Sequence, residues 1–233
     1  MAVSAVYITG ASRGLGFEFA RQYLDDGWRV FASCRNPASA DRLNNLAKAA
    51  ADRLKVVETD VTKPETIVKA ANELGGMAID LLINCAGVTG TPGQRAGTIN
   101  YNSWEYVFHV NTMGPLRVLE AFTEQVAKSE RKLVVNITSG MGSLADNMSG
   151  GSIAYRSSKA ALNMVMRSAS IDLAPRGISC VLVNPGWVKT DMGGPNATIT
   201  PLESVGAMRR LIAGLGTKDS GKFYHYDGSE YPW

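Results

Sequence analysis

Apolar residues fall in short runs separated by longer amphipathic stretches. The runs at 3–9, 28–34, 54–58, 79–84, 133–138, 178–184 and 222–226 are mostly rich in β-branched and aromatic residues, and they predict strands. Between them, 17–24, 38–51, 64–74, 102–128, 201–215 and a stretch from 153 to about 175 carry helical patterns. Strand and helix alternate, and most strands are nearly all apolar. That combination predicts a parallel sheet covered on both faces: an α/β, Rossmann-like doubly wound sheet of about seven strands. The segment 88–100 reads as a loop with turn signals, and Gly114-Pro115 predicts a kink within 102–128. No linker or repeat interrupts the alternation, and 233 residues suit a single domain over 1–233.

Composition narrows the function classes. Lys plus Arg number 24 against 21 for Asp plus Glu, and this scattered net charge of +3 does not suit a nucleic-acid partner. No apolar stretch approaches the ~18 residues of a membrane span, and the first residues lack the pattern of a signal peptide. Cys34, Cys85 and Cys180 lie in or beside apolar runs without CxxC spacing, so free thiols in a reducing compartment, and a cytoplasmic protein, are expected. With only His109 and His225, a zinc site is not expected.

Chemistry concentrates at the C-terminal ends of the predicted strands, where a doubly wound fold binds ligands. Gly10-x-x-x-Gly14-x-Gly16, with Ser12, Arg13 and Leu15 between the glycines, joins the first strand to the first helix. Such a turn brings backbone close to a pyrophosphate and presents a helix N-terminus to it, although a Gly-rich turn is also often purely structural. The second strand ends in Cys34-Arg35-Asn36, without the acid that binds ribose hydroxyls in NAD-selective folds. Arg35 can pair with a 2′-phosphate, and Arg13 is a second cation, so NADP(H) is the expected cofactor. Ser139 closes the fifth strand, and Tyr155 and Lys159 share one face of the following helix. A hydroxyl, a phenol and an ammonium so placed could converge on one carbonyl oxygen.

In this order and spacing the motifs resemble the classical short-chain dehydrogenases/reductases over nearly the whole chain. Within that superfamily the stretch 142–151 and the short C-terminus are similar to C-factor and Sniffer-type carbonyl reductases. The resemblance implies catalytic roles for Asn111, Ser139, Tyr155 and Lys159. Tyr155 would protonate the substrate oxygen, Ser139 would hydrogen-bond it, and Lys159 would hold the nicotinamide ribose and favour the Tyr155 phenolate. Asn111 would hold a water behind the lysine. Asp60 and Val61 would cup the adenine. Asn84, Ala86 and Gly87 would approach the ribose, with Cys85 replacing the family's second Asn. Pro185, Gly186, Val188 and Thr190 would line the nicotinamide.

The expected activity is NADPH-dependent reduction of a ketone or aldehyde. A dinucleotide-binding signalling role, or NAD-dependent alcohol oxidation, are the alternatives. The walls expected around the substrate are 88–97, 140–151 and 187–200, the last including a candidate lid at 188–200. They offer Met141, Leu144, Met148, Trp187 and Met192, which suit an apolar small-molecule carbonyl substrate but equally suit core or lid packing. The resemblance also implies a homodimer or homotetramer paired through 102–128 and 153–175, where Ala160, Ala161, Met164 and Ala169 offer apolar faces.

Overall fold

The computed structural model describes residues 3–233. Seven strands form one parallel sheet in the order β3-β2-β1-β4-β5-β6-β7. They are β1 (Ala5–Ile8), β2 (Arg29–Cys34), β3 (Leu54–Glu58), β4 (Leu81–Asn84), β5 (Leu133–Ile137), β6 (Ser179–Asn184) and β7 (Phe223–His225). Successive side chains along a strand face opposite sides of the sheet. In β1, Val6 and Ile8 join one core while Ala5 and Tyr7 join the other. The first core is closed by α1 (Gly14–Asp25), α2 (Asp41–Ala49) and α7 (Pro201–Gly214), through Phe19, Leu43, Met208 and Ile212. The second is closed by α3 (Pro64–Glu73), α5 (Gly114–Ala127) and α6 (Ile153–Asp172), through Ile67, Phe122, Leu162 and Met166. Central strands β1, β4, β5 and β6 are buried throughout, whereas edge strand β3 exposes Lys55 and Glu58. This is the pattern of a sheet covered on both faces. Tyr7 and Phe122 pack with ring centroids 4.2 Å apart, and truncating such a buried aromatic costs about 3–5 kcal/mol.

Two element boundaries depart from the sequence pattern. Helix α1 begins at Gly14 rather than near residue 17, so the last two loop glycines form its first turn. The long helical stretch divides into α4 (Tyr101–Phe108), a π-helical turn (His109–Met113) and α5. Proline at 115 has no amide hydrogen to offer the carbonyl of Asn111 four residues earlier, and the backbone widens there instead of bending sharply. Asn111 therefore sits in a widened turn beside the sheet.

The order of the strands reverses between β1 and β4. Chain crossings run one way from β1 to β3 and the other way from β4 to β7. The crevice above this reversal, at the strands' C-terminal ends, is where the fold opens a ligand site.

Candidate active site

A cavity opens over that crevice. It is lined by the glycine loop (Gly10, Ser12, Arg13, Gly14, Leu15, Gly16), by Arg35 after β2, by Asp60 and Val61 after β3, and by Ala86 and Gly87 after β4. Gly10 has φ +70°, and a Cβ there would stand 2.8 Å from the Cα of Ala86, so only glycine lets the two strand ends approach this closely. The N-terminus of α1 has no side-chain cap and no acidic residue in its first turn, which leaves its amides and dipole directed at the cavity. Asp60 Oδ1 accepts from the Thr62 amide (3.0 Å) and hydroxyl (2.7 Å); among the described residues no donor reaches Oδ2. The Arg35 guanidinium donates to the Tyr106 hydroxyl at 3.1 Å, and Tyr106 also lines the cavity. Arg13 instead reaches across the mouth to Asp191 at 2.9 Å.

Tyr155 and Lys159 form the inner wall of the same cavity. Lys159 is almost fully buried and donates to the Ile137 carbonyl at 2.9 Å. Burial pulls its ammonium down to about 8. Burial pushes the Tyr155 phenol above its ordinary value, while the neighbouring Ser139 hydroxyl pulls it the other way. The ammonium lies 5.9 Å from the centre of the Tyr155 ring. Desolvation outweighs the Ser139 hydrogen bond at the phenol. At neutral pH Tyr155 holds its proton.

Asn111 is fully buried and makes three bonds. Its Oδ1 accepts from the Val88 amide at 2.9 Å, and its Nδ2 donates to the Val88 carbonyl at 2.8 Å and to the Ser158 hydroxyl at 3.0 Å. A Cβ on Gly87 would lie 3.5 Å from Asn111 Oδ1 and 3.7 Å from Lys159 Nζ, so the asparagine and the lysine flank this glycine. The side chain braces the loop after β4 against α6.

A second cavity, about 380 Å³, adjoins the first at Leu15, Thr138, Tyr155, Pro185, Thr190 and Met192. Ser139, Met141, Trp187 and residues 89–94 complete its walls. Its size suits a small ligand. Tyr155 thus stands on the boundary between the two cavities.

A family model described as short chain dehydrogenase matches residues 4–198. The chain belongs to that family. It is an oxidoreductase of the short-chain type, and solved structures agree along its whole length. Carbonyl reductase Sniffer of D. melanogaster superposes with a TM-score of 0.93 at 31% identity, covering 100% of both chains. An NADPH-bound carbonyl reductase from chicken fatty liver gives 0.92 at 35% identity, again covering 100% of both. In sequence, C-signal of Myxococcus xanthus is 48% identical over 155 residues, covering 66% of this chain and 93% of that protein.

In this short-chain dehydrogenase most of the sequence-expected residues meet at the crevice, and several do not. Asn84 lines neither cavity. It faces inward, donating to the Pro115 carbonyl at 3.2 Å and to Asn136 Oδ1 at 2.9 Å, and so ties β4 to α5 and β5. Gly186 and Val188 line the second cavity, whereas Pro185 and Thr190 line both. Leu144 and Met148 are exposed and do not form a substrate wall; only Met141 of the 140–151 loop does. The 188–200 segment is braced by its own bonds: Lys189 N to Ile199 O at 2.8 Å and Trp187 Nε1 to Gly193 O at 2.8 Å. Ala169, expected on an outer face, is buried in the second core. Sequence reasoning missed Tyr106 and Asp191. Only their place in space marks them, because neither stands in a motif. Among the described residues no helix is long and apolar enough to cross a membrane.

Proposed function

We propose that the protein reduces an apolar ketone or aldehyde to the alcohol, with NADPH as hydride donor. The observation that carries this reading is Tyr155 on the boundary of the two cavities, with Lys159 lining the first and Ser139 lining the second. The residues present fit the dinucleotide. The Gly10–Gly16 loop and uncapped α1 suit the pyrophosphate, Asp60 Oδ2 suits the adenine amine, and Arg35 suits a 2′-phosphate. The cofactor supplies a hydride to the carbonyl carbon. The protein's own part is to hold the carbonyl oxygen between the Ser139 and Tyr155 hydroxyls and to give it the Tyr155 proton. Reduction needs a neutral phenol, and burial keeps Tyr155 in that form. Lys159 holds the ribose hydroxyls and remains beside the phenol to stabilise the phenolate left behind. Met141, Trp187 and Met192 give the substrate side its apolar character.

Support for NADPH over NADH comes from Arg35, from the missing acid after β2, and from the likeness to the NADPH-bound reductase of chicken fatty liver. The reading includes a cytoplasmic homodimer or homotetramer. Helix α6 leaves Met164 and Ile171 exposed for a partner, and size-exclusion chromatography with light scattering tests the state. A second reading, a dinucleotide-binding signalling protein, rests on the likeness to C-signal. A panel of ketones, aldehydes and quinones followed by NADPH oxidation separates the two. Turnover of an apolar carbonyl is expected. Tight NADPH binding without turnover of any of them favours the signalling role.

A further inference from the structure

We infer that the last three residues, Tyr231-Pro232-Trp233, are a clamp that positions Ser139. This inference rests on the role proposed above for Ser139. The serine stands at the mouth of a loop that leaves β5, makes one tight turn at Gly140–Gly142 and then runs over the surface. Its hydroxyl accepts from the Met141 amide at 3.1 Å, so the course of this loop sets where the hydroxyl points. The tail holds the loop from behind. The Trp233 carbonyl oxygen accepts from the Leu144 amide at 3.1 Å, the Ala145 amide at 2.8 Å and the Ser143 hydroxyl at 3.1 Å. The Tyr231 hydroxyl donates to Asp146 Oδ2 at 2.6 Å.

Gly140, the residue after the serine, packs directly on the tail. A Cβ there would stand 2.6 Å from the Tyr231 hydroxyl. The tail itself is fastened to the sheet. The Tyr231 amide donates to the Phe223 carbonyl at 2.8 Å, and the Phe223 ring lies 5.1 Å from that of Tyr231 and 5.7 Å from that of Trp233. Phe223 is a buried residue of β7. A continuous path therefore runs from the edge strand, through the tail, to the loop that carries Ser139. The Leu144 and Ala145 amides are spent on the tail, and the Leu144 side chain stands exposed. Tyr231, Asp146 and Trp233 are positioning residues, acting on the substrate oxygen only through the serine.

The test is a double-mutant cycle in the full chain. Tyr231→Phe removes the hydroxyl and keeps the ring. Its kcat is expected to fall about ten-fold, with NADPH Kd within about two-fold of wild type, since sub-ångström misplacement of a reacting group costs this order. Asp146→Ala should match it, while Asp146→Asn, whose amide oxygen still accepts, should recover most of the rate. In a Ser139→Ala background Tyr231→Phe should cost nothing further. An unchanged kcat in Tyr231→Phe, or an equal loss with and without Ser139, overturns the clamp. A second arm needs no turnover. Deleting 232–233 should speed amide exchange at Leu144 and Ala145 at least about ten-fold and leave α6 unchanged. Unchanged protection overturns the clamp even if no carbonyl substrate is found, an outcome that would count against the proposed function alone. If the deletion does not fold, exchange at Gly140–Asp146 in Tyr231→Phe decides in the same way.

Discussion

The two cavities that meet at Tyr155 are built differently. The cavity at the glycine loop is made of strand ends and the turns directly after them: Gly10–Gly16, Arg35, Asp60–Val61 and Ala86–Gly87. Sheet register fixes each of these, and glycine is required where backbones touch. The cavity at Ser139 is made largely of loops, 89–94, Met141 and Trp187–Gly193, held by bonds among themselves. The first shape is dictated by the fold and the second by local side-chain chemistry. The same scaffold can therefore keep one cofactor while changing what it acts on.

Replacing Lys159 strikes the cofactor side next to that boundary and should have the largest effect. Lys159→Met is expected to lower kcat about 10²–10⁴-fold, the range for losing a group that supports proton transfer. It also removes a pH signature. With the ammonium pulled down to about 8, wild-type affinity for NADPH should fall as pH rises through 8, and the variant should be weak and flat. The stability sign follows from linkage. Between about 8 and the ordinary 10.5 the unfolded chain holds more protons on this residue than the folded one. Its contribution to unfolding free energy therefore rises with pH in that window. The difference between wild-type and Lys159→Met denaturation curves across it should show this slope.

On the cofactor side, Arg35→Asp should weaken NADPH by about 100-fold, as expected for losing and reversing a charge-assisted contact. NADH should change little, and isothermal titration of both nucleotides checks this. Tyr106→Phe should cost NADPH alone about three- to five-fold, because the phenol only holds the Arg35 guanidinium in place. An equal loss for NADH would show that the fold-dictated cavity does not read the 2′-phosphate there. On the loop side, Trp187→Ala should change substrate KM several-fold. Leu144→Ala and Met148→Ala, both facing solvent, should leave kcat/KM within about two-fold and stability within about 0.5 kcal/mol. A strong effect at Leu144 or Met148 would put the 140–151 loop back into the substrate wall.

The same contrast explains what the sequence disclosed. Strands buried on both faces are legible as apolar runs, and the residues directly after them inherit their places from the fold. Gly10, Arg35, Asp60 and Ser139 could therefore be placed from the sequence alone, and the shared helix face of Tyr155 and Lys159 from their four-residue spacing. Asn84 follows the same rule of position, yet its side chain turns inward to Asn136, a choice set by a partner 52 residues away. The π-helical turn was foreshadowed by Pro115, but only as a kink. Tyr106 and Tyr231 were invisible because their meaning comes from Arg35 and Asp146, which lie 71 and 85 residues away in the chain. In the 140–151 loop Met141 lines the second cavity, while Leu144 and Met148 face solvent and the Leu144 and Ala145 amides bond to Trp233, a partner the sequence pattern does not mark.

The central claim is that Tyr155 delivers the proton while the rest of the cofactor cavity supplies most of the cofactor's binding. Tyr155→Phe tests this most directly, with turnover and NADPH Kd measured on one preparation. The account predicts a kcat loss of about 10²–10⁴-fold with Kd within about three-fold of wild type. A variant that reduces carbonyls at the wild-type rate would contradict it.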